Sequence, residues 1–414
     1  MKKLLILAGA NVHCKVVKTA KEMGIYTIVT DYLPVEDSPA KQIADEYWML
    51  DIKDVDSIVE KCKLVGVDGV INFCIDPAQK PYQQICEKLD LPCYGTKEQF
   101  DVLTDKRKFK HFCKMNDVDV INEYSLNDYE KKSIKFPVYV KPANSRGSRG
   151  QSICYNYTDL DKGMSIAKNE SVDGSVIIED FIENCDEIQI TYFFINGIPY
   201  LIRTADSYHH SNKDLKKVIS CGISPSKYTD YYISTANDRV VNMLKRLGIK
   251  YGPVFMQGFV YHDKFLFFDP AIRFPGVNYE LILNEVYGLN FMKMLIEFSL
   301  TGSINCCALP DECYRLHSNY GVILFPALLP GMIQKIIIPN EFDSNNSIIS
   351  YSIKHFEGEN IIWKCDIYQR IAEVDLLVKD KDELNDLLKR IKESFIVEDD
   401  NCNNLVLWGL ESVL

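Results

Sequence analysis

Lys141 stands just beyond a short apolar run, Phe136 to Val140, and is followed at once by Pro142-Ala143-Asn144-Ser145-Arg146-Gly147-Ser148-Arg149-Gly150-Gln151. The chain then returns as a second β-type run, Ser152 to Tyr157. A lysine delivered by a strand brings a point charge to a fixed place. A loop of small residues containing Gly147 and Gly150 can lay successive backbone N–H groups against a polyanion. Lys141 with Ser145, Gly147 and Ser148 therefore suits phosphate groups, although a plain basic surface hairpin has the same composition. The loop joins two strands and opens no helix, so it is neither a P-loop nor a dinucleotide fingerprint.

A second lysine stands out by its position. Thr104-Asp105-Lys106-Arg107-Lys108 caps and opens a helix expected to run to about Met115. Cations are unfavourable at a helix N-terminus, so this basic first turn argues for a use elsewhere. Farther on, Val176-Ile177-Ile178 ends in Glu179-Asp180-Phe181-Ile182-Glu183, and a short break leads to a strand carrying Glu187. A carboxylate there can accept from a vicinal diol; the bland alternative is an acidic loop between strands. Gly252 to Tyr261 and Lys264 to Phe268 read as a hairpin turning at His262-Asp263, followed by Asp269-Pro270-Ala271-Ile272-Arg273-Phe274-Pro275-Gly276. Alternation turns Gln257 and Asp269 inward.

In this order the lysine hairpin, the acidic hinge and the Asp269–Gly276 segment resemble the ATP-grasp superfamily, whose ligases use ATP to activate a carboxylate. The resemblance implies that Lys106 and Lys141 hold the ATP phosphates, with loop 143–151 (Ser145, Gly147 and Ser148 in it) closing over them. It implies that the hinge backbone around Asp180 to Ile182 hydrogen-bonds the adenine edge with Phe181 or Ile182 facing the base, that Glu179 belongs to the same nucleotide-binding segment, and that Glu187 accepts from the ribose. Mg2+ would lie at Asp269 and Gln257, and Arg273 and Lys141 would be catalytic, Arg273 neutralising charge in the acyl-phosphate step. The metal segment departs from the family pattern: Gln257 replaces the first acid, Asp269 is a shorter second acid, and Ala271 takes the asparagine position. Mg2+ needs hard oxygen ligands, usually one or two carboxylates plus phosphates and water. Asp206 and Asp263 are the nearby acids that could compensate.

The elements that must carry these residues fall into three groups. The first ~95 residues alternate short β-branched runs (Leu4 to Ala8, Tyr26 to Thr30, Tyr47 to Leu50, Val67 to Phe73) with amphipathic segments (Val12 to Met23, Val55 to Val65, Ala78 to Leu89). That alternation predicts a parallel doubly wound sheet. Its first turn, Gly9-Ala10-Asn11, lacks a dinucleotide glycine pattern, and Asp31 reads as a turn or cap residue. A hairpin, Ile188 to Ile195 and Tyr200 to Thr204 about Asn196-Gly197, and a helix, Ser234 to Leu247, follow later. Beyond Leu300 the strands Asn319 to Pro326, Gln334 to Ile338, Ser347 to Ile353, Ile361 to Ile367 and Glu373 to Val378 precede a helix, Lys381 to Phe395. The expected fold class is mixed α/β and α+β, multidomain. It comprises a Rossmann-like domain over 1–95, a two-lobed ATP-grasp domain over 96–305 (lobes 96–175 and 176–305) and a small α+β cap over 306–414.

Length and composition set the remaining limits. A chain of 414 residues with net charge −11 and thinly spread basic residues argues against nucleic acid or anionic membrane as a partner. Its 14 cysteines form no C-x-x-C pair, so reduced thiols in a cytoplasmic protein are expected, with Cys306, Cys307 and Cys313 as packing residues. His317 and His355 are expected to be structural. The resemblance implies an ATP-dependent ligase joining a small carboxylate to an amine through an acyl phosphate, with ATP and Mg2+. A homodimer is the commonest assembly for such enzymes. Two alternatives stand beside it: a nucleotide-binding protein without turnover, suggested by Gln257 and Ala271, and a carboxylase-like enzyme that activates bicarbonate. Arg203, His209, His210 and Lys213 follow a strand expected to border the acceptor side.

Overall fold

The computed structural model describes residues 1–143, 150–171, 173–215, 218–305 and 308–410. The loop positions Ser145, Gly147 and Ser148, and the pair Cys306-Cys307, lie outside the described residues.

The strands Lys3–Leu7, Tyr26–Thr30, Glu46–Trp48 and Gly69–Ile71 form a parallel sheet in the order third, second, first, fourth. Leu4 to Leu7 are fully buried because helices cover both faces, which explains an unbroken apolar run instead of alternation. The helix Val55–Val65 begins with the Asp54 carboxylate accepting from Ser57 N and stops at Gly66, whose φ of 72° suits glycine. Asp31 is a turn residue: it accepts from Leu33 N at 2.9 Å and Ser38 Oγ at 2.8 Å, and pairs with buried Lys41.

A second, antiparallel sheet runs Glu123–Tyr124, Val176–Asp180, Val138–Pro142, Ser152–Cys154. Val138, Val140 and Ile178 pack on Leu160 and Ala167 of the helix Tyr157–Glu170. Alternation therefore sends Tyr139, Lys141 and Glu179 to the opposite face. The expected strand Ser152 to Tyr157 ends early at Cys154, because the Asn156 side chain accepts from Asp159 N and starts that helix instead.

The largest sheet has eight strands, in spatial order Lys264–Ala271, Gly252–Tyr261, Asp186–Ile195, Ile198–His209, Ile219–Ser224, Tyr320–Leu324, Ala372–Val378 and Ile348–Ile353. The last three belong to the stretch expected as a separate cap, and the Tyr320–Leu324 strand pairs directly with Ile219–Ser224, so one sheet crosses residue 305. Cross-strand register places Asp269, Gln257, Gln189, Glu187, Ser207, Thr191 and Arg203 on one face. Two sequence expectations need correction here. Ser234 to Leu247 is not one regular helix, since a π turn, Ile233–Asn237, precedes Asp238–Arg246. Ile361 to Ile367 is not a strand: only Asn360–Ile361 pairs, and Asp366 caps a short turn by accepting from Tyr368 N at 2.8 Å. Among the described residues no helix is long and apolar enough to cross a membrane.

Candidate functional site

Two elements distant in sequence bring lysines to one carboxylate. The Asp105 side chain accepts from the N–H groups of Arg107 and Lys108 and so opens the helix Lys106–Lys114. On that helix Lys106 and Lys110 are four residues apart and share a face. Lys110 is 2% exposed and bonds one oxygen of Glu179; Lys141, on the neighbouring sheet, bonds the other. Lys141 and Glu179 are diagonal cross-strand neighbours, since Lys141 lies opposite Ile177 and Glu179 opposite Tyr139. Burial pushes the Lys141 ammonium down, opposed by Glu179 and reinforced by the charges of Lys110 and Lys106. Burial pushes the Glu179 carboxyl up, but the two lysines overcome it and hold it below the usual carboxylate range. Lys106 Nζ stands 3.3 Å from Asp269, which ties the helix carrying Lys106 and Lys110 to the eight-stranded sheet.

Glu179 is 3% exposed, and its two carboxylate oxygens are taken by the two lysines, which it thereby positions. Asp180 N–H donates to Asn122 O at 3.0 Å and Phe181 N–H to Pro137 O at 3.2 Å. Asp180 Oδ1 accepts from Tyr124, and Phe181 stacks on Tyr139 with centroids 6.0 Å apart.

Glu187 accepts from Gln257 Nε2 at 3.1 Å and shares a 3.0 Å hydrogen bond with His209 Nε2. Each carboxylate oxygen keeps a further lone pair for a hydroxyl. Gln257 lies directly opposite Asp269, and with its NH2 turned to Glu187 its carbonyl oxygen faces away from that acid. No group of three His, Cys, Asp or Glu side chains able to hold a metal occurs among the described residues. One carboxylate and one amide oxygen fit a Mg2+ ion that takes its other oxygens from phosphate and water. The proposed compensating acids do not join them. Asp206 is used by Ser226 Oγ and Lys227 N, and Asp263 sits in the hairpin turn beyond Tyr261. Arg273 is not free either: its Nε and Nη2 grip both oxygens of Asp76 from the first sheet's region, and Nη1 donates to Phe274 O at 2.7 Å.

Residues 106–206 match the family model described as D-ala D-ala ligase C-terminus. The 2-oxoglutarate carboxylase small subunit of Hydrogenobacter thermophilus is 25% identical over 270 residues, 60% of this chain and 56% of the relative. The chain's matches thus span about half to two thirds of the length of its curated relatives. Among solved structures, phosphoribosylglycinamide synthetase from Anaerococcus prevotii superposes with a TM-score of 0.78 at 20% identity, covering 96% of this chain and all of the other (100%). The chain has the ATP-grasp fold. An L-amino acid ligase from Bacillus licheniformis shares this ATP-grasp architecture at TM-score 0.77 and 16% identity, covering 97% of this chain and 99% of its own.

Sequence reasoning missed Lys110, although its spacing from Lys106 was a usable signal. Asp76 could not have been found that way, because nothing local links it to Arg273.

Proposed function

We propose that this chain is an ATP-dependent carboxylate–amine ligase that works through an acyl phosphate on small molecules. The observation that carries the reading is the convergence of Lys106, Lys110 and Lys141 from two segments opposite Asp269. The amino acid ligase and phosphoribosylglycinamide synthetase of like fold support it. ATP would lie between the two sheets with its base at the hinge Asp180 to Ile182, its ribose at Glu187 and its phosphates at Lys106 and Lys141. Residues 143–151, with Ser145, Gly147 and Ser148, would cover the phosphates. Asp269 and Gln257 would hold Mg2+, which would supply neutralisation of phosphate charge. The working division into 1–95, 96–305 and 306–414 assigns the nucleotide to the middle piece.

A substrate carboxylate oxygen attacks the γ-phosphorus, the bond to the β-phosphate oxygen breaks, and ADP leaves. An amine nitrogen then attacks the acyl carbon, phosphate departs and the nitrogen loses a proton. The protein's share of the first step is placement and charge neutralisation, which carry most of the rate in phosphoryl transfer. Arg273 would act on the second step by exchanging Asp76 for the developing oxyanion. The experiment is ADP release against paired carboxylates and amines. Lys141→Ala and Asp269→Ala should each abolish it, and turnover unaffected by either change would refute the proposal.

A second reading is favoured by the Hydrogenobacter carboxylase relative: activation of bicarbonate instead of an organic acid. It requires bicarbonate-dependent ADP release with no organic carboxylate present.

A further inference from the structure

Arg203 is a buried cation that lacks an anion. It is 2% exposed, and among the described residues no carboxylate pairs with it. Its Nη1 donates to Gln189 Oε1 at 2.7 Å, and its guanidinium carbon lies 5.0 Å from the centroid of the Tyr279 ring. Nε has no partner. Nη2 faces Gly222, where an added Cβ would stand 3.6 Å away. Nε and Nη2 form the edge that a carboxylate accepts two bonds from at once. In Arg273 the same edge is filled by Asp76, so the difference between the two arginines is one missing carboxylate.

The surroundings repeat the pattern. Thr191 Oγ1, directly across from Arg203 in the sheet, is buried without a partner. The register shifts between Leu201 and Arg203, and a bulge of this kind re-aims the following side chain. Burial pushes the guanidinium down to about 10, opposed by the neighbouring Tyr279 phenol. Burying a charge without a counter-charge is costly, so a fold that keeps one has a use for it. Gln189, which holds Arg203, is two residues from Glu187 on one strand face, roughly 7 Å along it. A small molecule can span that gap.

We propose that the free edge of Arg203 binds a carboxylate of the acceptor substrate, distinct from the group that reacts. The word acceptor rests on the ligase reading above; the anion site itself does not. Succinate serves as probe, with acetate and inorganic phosphate as comparison arms at matched ionic strength, read by calorimetric titration and by melting temperature. Succinate should bind the wild type and raise its melting temperature, and Arg203→Gln should weaken binding roughly tenfold to a hundredfold, the range for a charge-assisted pair. Arg203→Lys, which keeps the charge and loses the two-donor edge, should fall between. Without any added anion Arg203→Gln should melt no lower than wild type, because it removes an uncompensated cation. The inference is overturned if succinate fails to bind the wild type, if it binds Arg203→Gln equally well, or if Arg203→Gln melts lower without anion. Binding of phosphate but not succinate overturns the carboxylate assignment. Arg203-dependent succinate binding without ADP release under any pairing would remove the ligase reading and uphold the anion site. ADP release with Arg203-independent succinate binding would do the reverse.

Discussion

Replacing Glu179 by glutamine tests the lysine cluster without touching a lysine. In the native fold Glu179 holds Lys110 on one oxygen and Lys141 on the other, all three buried. Two ammonium groups bonded to opposite oxygens of one carboxylate stand about 5 Å apart. At an effective dielectric of about 20 their repulsion is roughly 3 kcal/mol once the carboxylate is gone. Loss of one member of a buried ion pair costs about 3–5 kcal/mol in general, which agrees. The Glu179→Gln protein should therefore unfold in urea at a midpoint lower by roughly 1 M. Glu179 has its folded pKa depressed, so its contribution is present above the unfolded carboxylate range and is lost as pH falls through the folded value. The gap between variant and wild type should shrink on acidification for that reason. ATP affinity should respond in the opposite direction along pH. Without Glu179, burial and Lys110 push the Lys141 ammonium down unopposed, so the variant should lose ATP affinity at a lower pH than the wild type does as pH is raised. An unchanged urea midpoint, together with identical affinity profiles in calorimetry, would refute this account of how the lysines are held.

Further outcomes follow from other parts of the structure. Gln257→Glu sets a second carboxylate opposite Asp269 and against Glu187, so it should melt lower in chelator and recover in Mg2+, with half-saturation at a lower Mg2+ concentration than wild type. A melting temperature independent of Mg2+ would count against a metal there. Asp375 is pushed up to about 7 by burial and by Glu373, with Glu280 adding to the effect and Ser350 and Asn278 opposing it. An acid with a raised folded pKa costs stability progressively as pH rises from the unfolded carboxylate range to about 7. Asp375→Asn should accordingly reduce the fall in melting temperature between about pH 5 and 8, and a fall as steep as that of the wild type would argue against it.

Much of the architecture could be read along the chain because its causes are local. The helix Val55–Val65 coincides with its expected bounds, since Asp54 and Gly66 mark both ends. The strand Gly252–Tyr261 does so as well, closed by the His262-Asp263 turn with both residues at positive φ. Errors arose where a side chain competed with a strand pattern, as Asn156 and Asp366 do by starting turns of helix. The continuity of the large sheet through Tyr320–Leu324 was invisible because strand pairing is decided between segments some hundred residues apart.

The site divides along the same line. Sequence alone determined which residue types were available: a lysine on a strand before a small-residue loop, a basic first helical turn, an acidic hinge, and a metal segment with glutamine and alanine in place of an acid and an asparagine. Side-chain periodicity further determined that Lys141 and Glu179 leave the apolar face of their sheet. Only the tertiary structure decided which charges meet. Glu179 lies 69 residues from Lys110 and Arg273 lies 197 from Asp76, and no local pattern encodes such pairs. An ion pair forms where packing brings two side chains to the same buried point, and packing is set by the whole core. The unpaired edge of Arg203 is the same fact seen from the other side, because a missing partner can be recognised only once every neighbour is in place.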